Sequence, residues 1–409
     1  MKFDVLEKYT QAQRDILKLI FQKKSISRAD IVKHTGISNL TTINTVKLLL
    51  QDGLIVEKSS LTSERGRRTM QLSVNPHFSY FLCVDIGTNS TKIAVVSFNC
   101  SIIYQAQILN SPFASVYDPY ITVDCLRNEL DRVLMQYGQE NFSAICFSIS
   151  GIVDYSQKVV RFCANIAGWN EVNLEEAFGQ FFNLPIYLDT SGHCFALAEN
   201  HFCDYSLSSS MMFIAIGHSI STGLIFNGQI YRGASGAAGE MGHMYVPTSQ
   251  IYHDPRDTEV NIEYSKCSCG HKNCLELYTT ISMIREIAEN RSRRINGLPS
   301  DQCVYPTISS IKRAYDSNDE IVVDTVTAAA HTLGSIIANQ VNMLNPKYIV
   351  LGGGTINLFP EIAKIVEQDV RRYSLEIISE DVCVVTSKLG FEGATLGAAL
   401  LAINNILKI

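Results

Sequence analysis

One histidine and three cysteines constrain this chain more than any other feature. His243 closes the run GEMGH, and after a polar loop CSCGHKNCLE places Cys267, Cys269 and Cys274 on a Gly-punctuated turn. Cys3His is the ligand chemistry of a closed tetrahedral zinc site, in which four protein ligands leave no open position for catalysis. The spacing C-x-C-x4-C is tighter than the knuckle of a nucleic-acid finger. The set therefore reads as a structural clip, one Zn2+ per chain, fastening two parts of one globular domain. The alternative is a set of ordinary buried thiols beside a surface imidazole. Most other cysteines sit singly in apolar strings such as YFLCVDIG and SAICFSIS, where a thiol behaves as a small hydrophobe and not as part of a disulfide framework.

A chain of 409 residues, 46% of them hydrophobic, can bury the cores of two or three domains. No run of eighteen uncharged apolar residues occurs, and the first thirty residues mix Lys, Asp, Glu and Gln where a signal peptide would be apolar. The expectation is a cytoplasmic protein with no membrane partner. The net charge of −6 conceals a split. Residues 1–76 hold thirteen Lys and Arg against seven Asp and Glu, a net of +6, which leaves −12 on the remaining 333 residues. A basic module joined to an acidic body suggests that only the N-terminal part faces a polyanion.

That module carries helical signals. Ile16, Leu17, Leu19, Ile20 and Phe21 recur with helical spacing; Ser27 precedes RADIVKHTG, which Gly36 terminates; Ser38 then caps NLTTINTVKLLLQDG. Ile43, Val46 and Leu50 are expected to form the buried face of this last helix. Its outward side then offers Asn39, Thr42, Asn44, Thr45 and Lys47, with Ser38 at its start, to base edges and phosphates. Beyond Gly53, strand-like LIVEKS and MQLSV flank SERGRR, so a hairpin would hold Arg65, Arg67 and Arg68 at its tip for a backbone or minor-groove contact. Helix, turn, helix and hairpin together spell a winged helix-turn-helix. A small helical protein-interaction domain with a solvated basic loop is the alternative.

Downstream, YFLCVDIGTNSTKIAVVSF reads as strand, Gly turn, strand. Further strands in SAICFSISGIV, LPIYLDTSG, MMFIAIG and YIVLGGGT alternate with helical stretches near 123–136, 171–182, 279–290, 322–343 and 359–370. Such alternation means α/β layers. The pieces SRADIVKHTGIS, VDIGTNSTKIAVV, ISGIVD, NIAGW, LIFNGQIYRGASGAAGEMGH, CSCGHKNCLE and YIVLGGG resemble the ROK family of repressors, open reading frames and kinases, in particular its sugar-responsive repressor branch. The resemblance implies a winged helix-turn-helix over 1–76 followed by a two-lobed actin- and hexokinase-like (ribonuclease H-like) sugar-kinase fold. Its first lobe would span 77–190, completed by about 391–409. Its second, with the zinc site and an oligomer contact, would span 191–390. Carried over residue by residue, the sugar contacts fall on Asn165, Glu240, His243 and Glu276. The zinc-bound histidine would use its second ring nitrogen as a fixed donor.

Kinases of the family carry a base aspartate after a strand; here the aligned DTSGH puts Ser191 there, a hydroxyl unable to take the proton near neutrality. Asp189 is a conceivable substitute two residues away. The family's Gly-Thr-Gly-x-Gly phosphate loop reads Gly217-His218-Ser219-Ile220-Ser221, without its later glycines. Asp85, Gly87, Thr88 and Gly352 to Gly354 persist. His193 and His218 would be cationic donors to a phosphorylated ligand, or simply polar cleft lining. The reading is a repressor of carbohydrate-uptake or catabolic genes without catalytic residues, binding a palindromic operator as a homodimer or dimer of dimers. Its DNA affinity would respond to a sugar or sugar phosphate held by Asn165, Ser191, Glu240, His243 and Glu276. A ROK-type sugar kinase is the alternative.

Overall fold

Thr10 opens the first long helix by a reciprocal cap. Its hydroxyl accepts from the Gln13 amide while the Gln13 side chain accepts from the Thr10 amide. The computed structural model describes residues 2–60, 69–88, 90–109, 122–163, 166, 168–203, 210–247, 266–299 and 301–408. A 3-10 turn over Lys2–Lys8 leads into α1 (Gln11–Lys23), α2 (Arg28–Thr35) and α3 (Asn39–Gln51). Ser27 and Ser38 cap α2 and α3 as their positions in the sequence predict. Strands β1 (Ile55–Ser60) and β2 (Thr69–Val74) pair antiparallel, and Leu72 of β2 also pairs with Ile26 ahead of α2.

The outward face of α3 differs from expectation. Thr42, Thr45, Val46 and Leu49 form the buried stripe, Thr42 and Thr45 being 0% and 1% exposed, whereas Ile43 is 45% exposed. Thr42 and Thr45 therefore cannot face a ligand. A threonine methyl packs as an apolar group, so counting threonine as polar rotates the predicted face off the true one. Arg65, Arg67 and Arg68 lie outside the described residues.

The body builds the same strand order twice. β3 (Tyr80–Ile86), β4 (Ser90–Ser97) and β5 (Ile102–Leu109) form an antiparallel meander, followed by α4 (Val123–Tyr137) and β6 (Phe142–Ile149). β7 (Ile152–Asp154), β8 (Val159–Phe162) and β9 (Val172–Asn173) make a small separate sheet; a π-helical turn over Glu175–Gly179 and α5 (Gln180–Phe182) then lead into β10 (Ile186–Thr190). The first five-stranded sheet runs β10-β6-β3-β4-β5, with β6 and β10 parallel to β3. After α6 (Ser191–Phe202) come β11 (Ser210–Ile216), β12 (Ile220–Phe226) and β13 (Gln229–Ile230). The helices α7 (Glu276–Thr279), α8 (Ile281–Asn296), α9 (Ile308–Asp316) and α10 (Glu320–Leu344) precede β14 (Tyr348–Gly352). Then follow α11 (Gly354–Leu358), α12 (Glu361–Tyr373), α13 (Glu376–Ser379), β15 (Cys383–Thr386) and α14 (Gly393–Leu407). The second sheet, β13-β12-β11-β14-β15, repeats the first, an antiparallel meander extended by two parallel strands.

The sheets communicate through a helix pair. α14 packs on β3, β6 and β10 of the first sheet, α6 packs on β11 and β12 of the second, and the two helices pack on each other. Their approach is so close that a Cβ on Gly397 would sit 1.8 Å from the Cys194 carbonyl oxygen, so no other residue fits there.

The N-terminal module is not suspended on a linker. One apolar core runs from Phe3, Leu17 and Phe21 through Leu72 and Phe98 into β3, α6 and α14. Phe98, fully buried, has the rings of Phe3, Phe78 and Phe21 at 5.1, 5.9 and 6.0 Å. Phe21 also meets His201 near the end of α6 at 4.9 Å, and the Lys24 ammonium donates to the Phe202 carbonyl at 3.3 Å. Burial, aided by the Lys24 charge, brings the His201 imidazole down to about 4, so this ring packs as a neutral aromatic at neutral pH.

Candidate functional site

The four predicted ligands converge. Tyr245 pairs with Cys274, and backbone bonds from Val246 to Asn273 and from Leu275 to Met244 lay the segment after His243 alongside the segment carrying the last cysteine. A turn closed by bonds from Gly270 to Cys267 and from Cys267 to His271 presents Cys267 and Cys269. The Cys267 sulfur lies 3.4 Å from His243 Nδ1, the Cys269 and Cys274 sulfurs lie 3.6 Å apart, and all four ligand atoms lie within 4.8 Å of one another. Tetrahedral coordination with thiolate bonds of about 2.3 Å needs sulfur–sulfur edges of about 3.8 Å. With no pair further apart than 4.8 Å, the four atoms need shifts of about an ångström at most to close on a metal ion. Burial raises Cys269, but hydrogen bonding from the His271 amide and neighbouring side chains outweighs it and brings that thiol to about 6. Burial pushes Cys274 up to about 11, and burial with a 2.8 Å bond to Glu276 raises Cys267 further. A bound cation would reverse the last two effects by stabilising thiolate.

The cluster borders a solvent-open cleft between the two sheets. His243 aims Nδ1 into the cluster and holds Nε2 3.9 Å from Glu240, while Glu276 lies 4.0 Å from Nδ1. Burial raises the Glu240 carboxyl, opposed by the nearby His243. Ser191 lines the opposite wall at the N-terminus of α6, just after the capping Thr190. Its hydroxyl lies 3.2 Å from Ser148 Oγ and 3.3 Å from Ser150 Oγ, and because the single Ser148 proton goes to Asp85 at 2.8 Å, Ser148 can only accept from Ser191. Predicted ligand residues Ser191, Glu240, His243 and Glu276 thus share one cleft. Asn165 lies outside the described residues, as do 248–265 in the long loop before the cysteines.

The geometry bears on two roles that the sequence left open. Asp189 does not reach the cleft: it is 1% exposed and accepts from His193 Nδ1 at 2.5 Å, Arg232 Nε at 2.8 Å and the Thr190 amide at 2.9 Å. Burial disfavours its charge, but His193 and Arg232 hold its carboxyl below the ordinary range. Both of its carboxylate oxygens are engaged within the wall of the fold. His193, 0% exposed, has its other nitrogen 3.2 Å from the Ala238 carbonyl and has no ring nitrogen to offer a phosphate. Arg232, which orders Asp189 from 43 residues downstream, had no sequence signal. His218 pairs with Ser282 at 2.7 Å, and burial lowers its pKa. Retention of Gly353 has a structural explanation. Its φ is +91°, and a Cβ there would meet the Ile216 carbonyl oxygen at 2.3 Å.

Two sheets of identical strand order facing a carboxylate-lined cleft define an α/β protein of sugar-kinase-like architecture. Residues 81–405 match the ROK family, and the chain belongs to that family. It is 25% identical over 400 residues to the xylose repressor of Bacillus spizizenii, covering 97% of this chain and 96% of the repressor. A solved ROK family transcriptional regulator, a homolog of the E. coli MLC protein, superposes with a TM-score of 0.72 at 25% identity, covering 97% and 95% of the two chains. A ROK glucokinase from Streptomyces griseus, solved with glucose and AMPPNP, shares the fold at a TM-score of 0.63 and 20% identity. That likeness covers 99% of the glucokinase but 79% of this chain.

Proposed function

We propose that this protein is a DNA-binding transcriptional repressor of sugar-utilisation genes whose operator affinity responds to a sugar or sugar phosphate in the cleft. The observation that carries it is the solvent face of α3. Ser38, Asn39, Asn44 and Lys47 are all exposed on a module of net charge +6, and the full-length similarity to a xylose repressor includes that module. In this reading α1 to α3 and the β1–β2 hairpin are the winged helix-turn-helix of 1–76. The lobes are 77–190 with 391–409, and 191–390. Ser191, Glu240, His243 and Glu276, with Asn165, hold the effector, and the Cys3His set holds one structural zinc. A homodimer would place two α3 helices on a palindrome. Retention of native genomic fragments against random DNA at fixed salt tests the reading: a subset should be retained selectively, and Asn44→Ala should relax that selection while Lys47→Ala weakens binding to all sequences. Equal, salt-sensitive binding to every fragment would sink it.

The same reading excludes turnover. Among the described residues Ser191 is bonded to two serines and directly to no carboxylate, while Ser219 and Ser221 replace loop glycines. Coupled ADP release with hexoses and N-acetylhexosamines should stay at the no-enzyme rate. Measurable turnover on any of them would establish the kinase alternative.

A further inference from the structure

Leu40 and Ile43 are 70% and 45% exposed on α3. They are absent from the apolar core that takes up Ile37, Val46, Leu48, Leu49 and Leu50. At ~100° per residue Leu40 stands opposite the buried Thr42–Leu49 stripe, at the centre of the outward face, with Ile43, Asn44 and Lys47 one and two turns on. Leu40 is the second residue of the helix, at the end that meets base edges when a recognition helix enters the major groove. Two large aliphatic side chains facing water carry a hydration cost that any partner of this face must offset. Their neighbours fix the chemistry of that partner: Ser38, Asn39, Thr41 and Asn44 donate and accept, and Lys47 adds charge, a poor match for an apolar protein surface. The major groove offers both kinds of group at once, and its one apolar feature is the thymine C5-methyl.

We infer that Leu40 and Ile43 read thymine methyl groups, so that the target of this protein carries thymines at fixed positions in each half-site beside the bases contacted by Asn39 and Asn44. This rests on the proposed DNA-binding function and specifies its substrate. Neither side chain contributes a hydrogen bond. Both reject cytosine and guanine by leaving a donor or acceptor unpaired against a hydrocarbon, and both lose contact when the methyl alone is removed.

The test uses the full-length protein and a duplex selected by it from a random-sequence library at fixed salt. Each thymine of that duplex is then replaced singly by deoxyuridine, which keeps every hydrogen-bonding group and removes only the methyl. Affinity should fall about three- to fivefold at the contacted positions, the effect of one methyl-sized group. Leu40→Ala or Ile43→Ala should abolish that difference at the position each contacts, and Leu40→Ala, at a side chain 70% exposed, should leave the melting midpoint nearly unmoved. A selected duplex that tolerates deoxyuridine everywhere would overturn the inference and leave DNA recognition standing. So would a change in the sedimentation mass of the DNA-free protein on Leu40→Ala, which would assign the patch to a second copy of the chain. Failure to enrich any sequence would remove the DNA-binding reading itself and this inference with it.

Discussion

Cys269→Ser is expected to take the metal content from about one zinc per chain to near zero and to cost on the order of 4 kcal/mol or more of stability, the class of loss that accompanies removal of a structural metal. The geometry explains the size. Cys267, Cys269 and Cys274 join a segment otherwise held by short turns, a β-bridge, a Tyr278–Asn273 hydrogen bond and the burial of Leu275, and Glu276 continues directly from it into α7. Without the ion, two buried thiols with raised pKa and one acidic thiol near 6 are left crowded within 4.8 Å. Elemental analysis of protein purified without added metal, with thermal melts of both forms, measures the effect. Cys269 does not line the cleft while His243 does, so a weakened effector response in Cys269→Ser would report loosened support of Glu240 and Glu276, not a lost contact. Metal-free wild-type protein with an undiminished melting midpoint would defeat the assignment.

Phe98→Ala should be comparably damaging, at about 3–5 kcal/mol. Phe98 opens the turn after β4 at 0% exposure, where Phe3 of the N-terminal turn, Phe21 of α1 and Phe78 just ahead of β3 all meet. Removing the ring opens a cavity at the seam between the DNA module and the body. Urea unfolding should show the loss, and the surviving folded protein should bind operator with an affinity less sensitive to a cleft ligand. A loss below about 1 kcal/mol would mean that the seam is soft and the module merely tethered.

Legibility in the sequence followed the range of the interaction. Ser27 and Ser38 were readable as caps because the groups they satisfy lie three residues on, and Cys267, Cys269 and Cys274 because eight residues contain all three. Readings that needed a distant neighbour failed. Nothing local shows that Arg232 and His193 occupy Asp189, or that Phe3 in the N-terminal turn seats against Phe78 and Phe98. The stretch 171–182 reads as a helix, yet Val172 and Asn173 pair with β8 before a short π-helical turn begins, a case of sheet pairing overriding local propensity. Thr42 and Thr45 were misplaced for a chemical reason, since one side chain presents both a hydroxyl and a methyl, and only packing decides which counts.

Helix α6 has one end in each half of the proposed function. Ser191 begins it at the cleft wall, and at the far end of its twelve residues His201 and Phe202 finish it beneath Phe21 and Lys24 of the N-terminal module. At 1.5 Å per residue it is a bar of about 18 Å with no loop interposed. In the proposed function, cleft ligand and operator would therefore bear on opposite ends of one helix and could not set its position independently. If a sugar weakens the grip on DNA by some factor, thermodynamic reciprocity requires bound DNA to weaken the grip on that sugar by the same factor. The promoter would then act as an antagonist of its own inducer, and occupied operators would answer only to sugar concentrations higher than those that saturate the free protein.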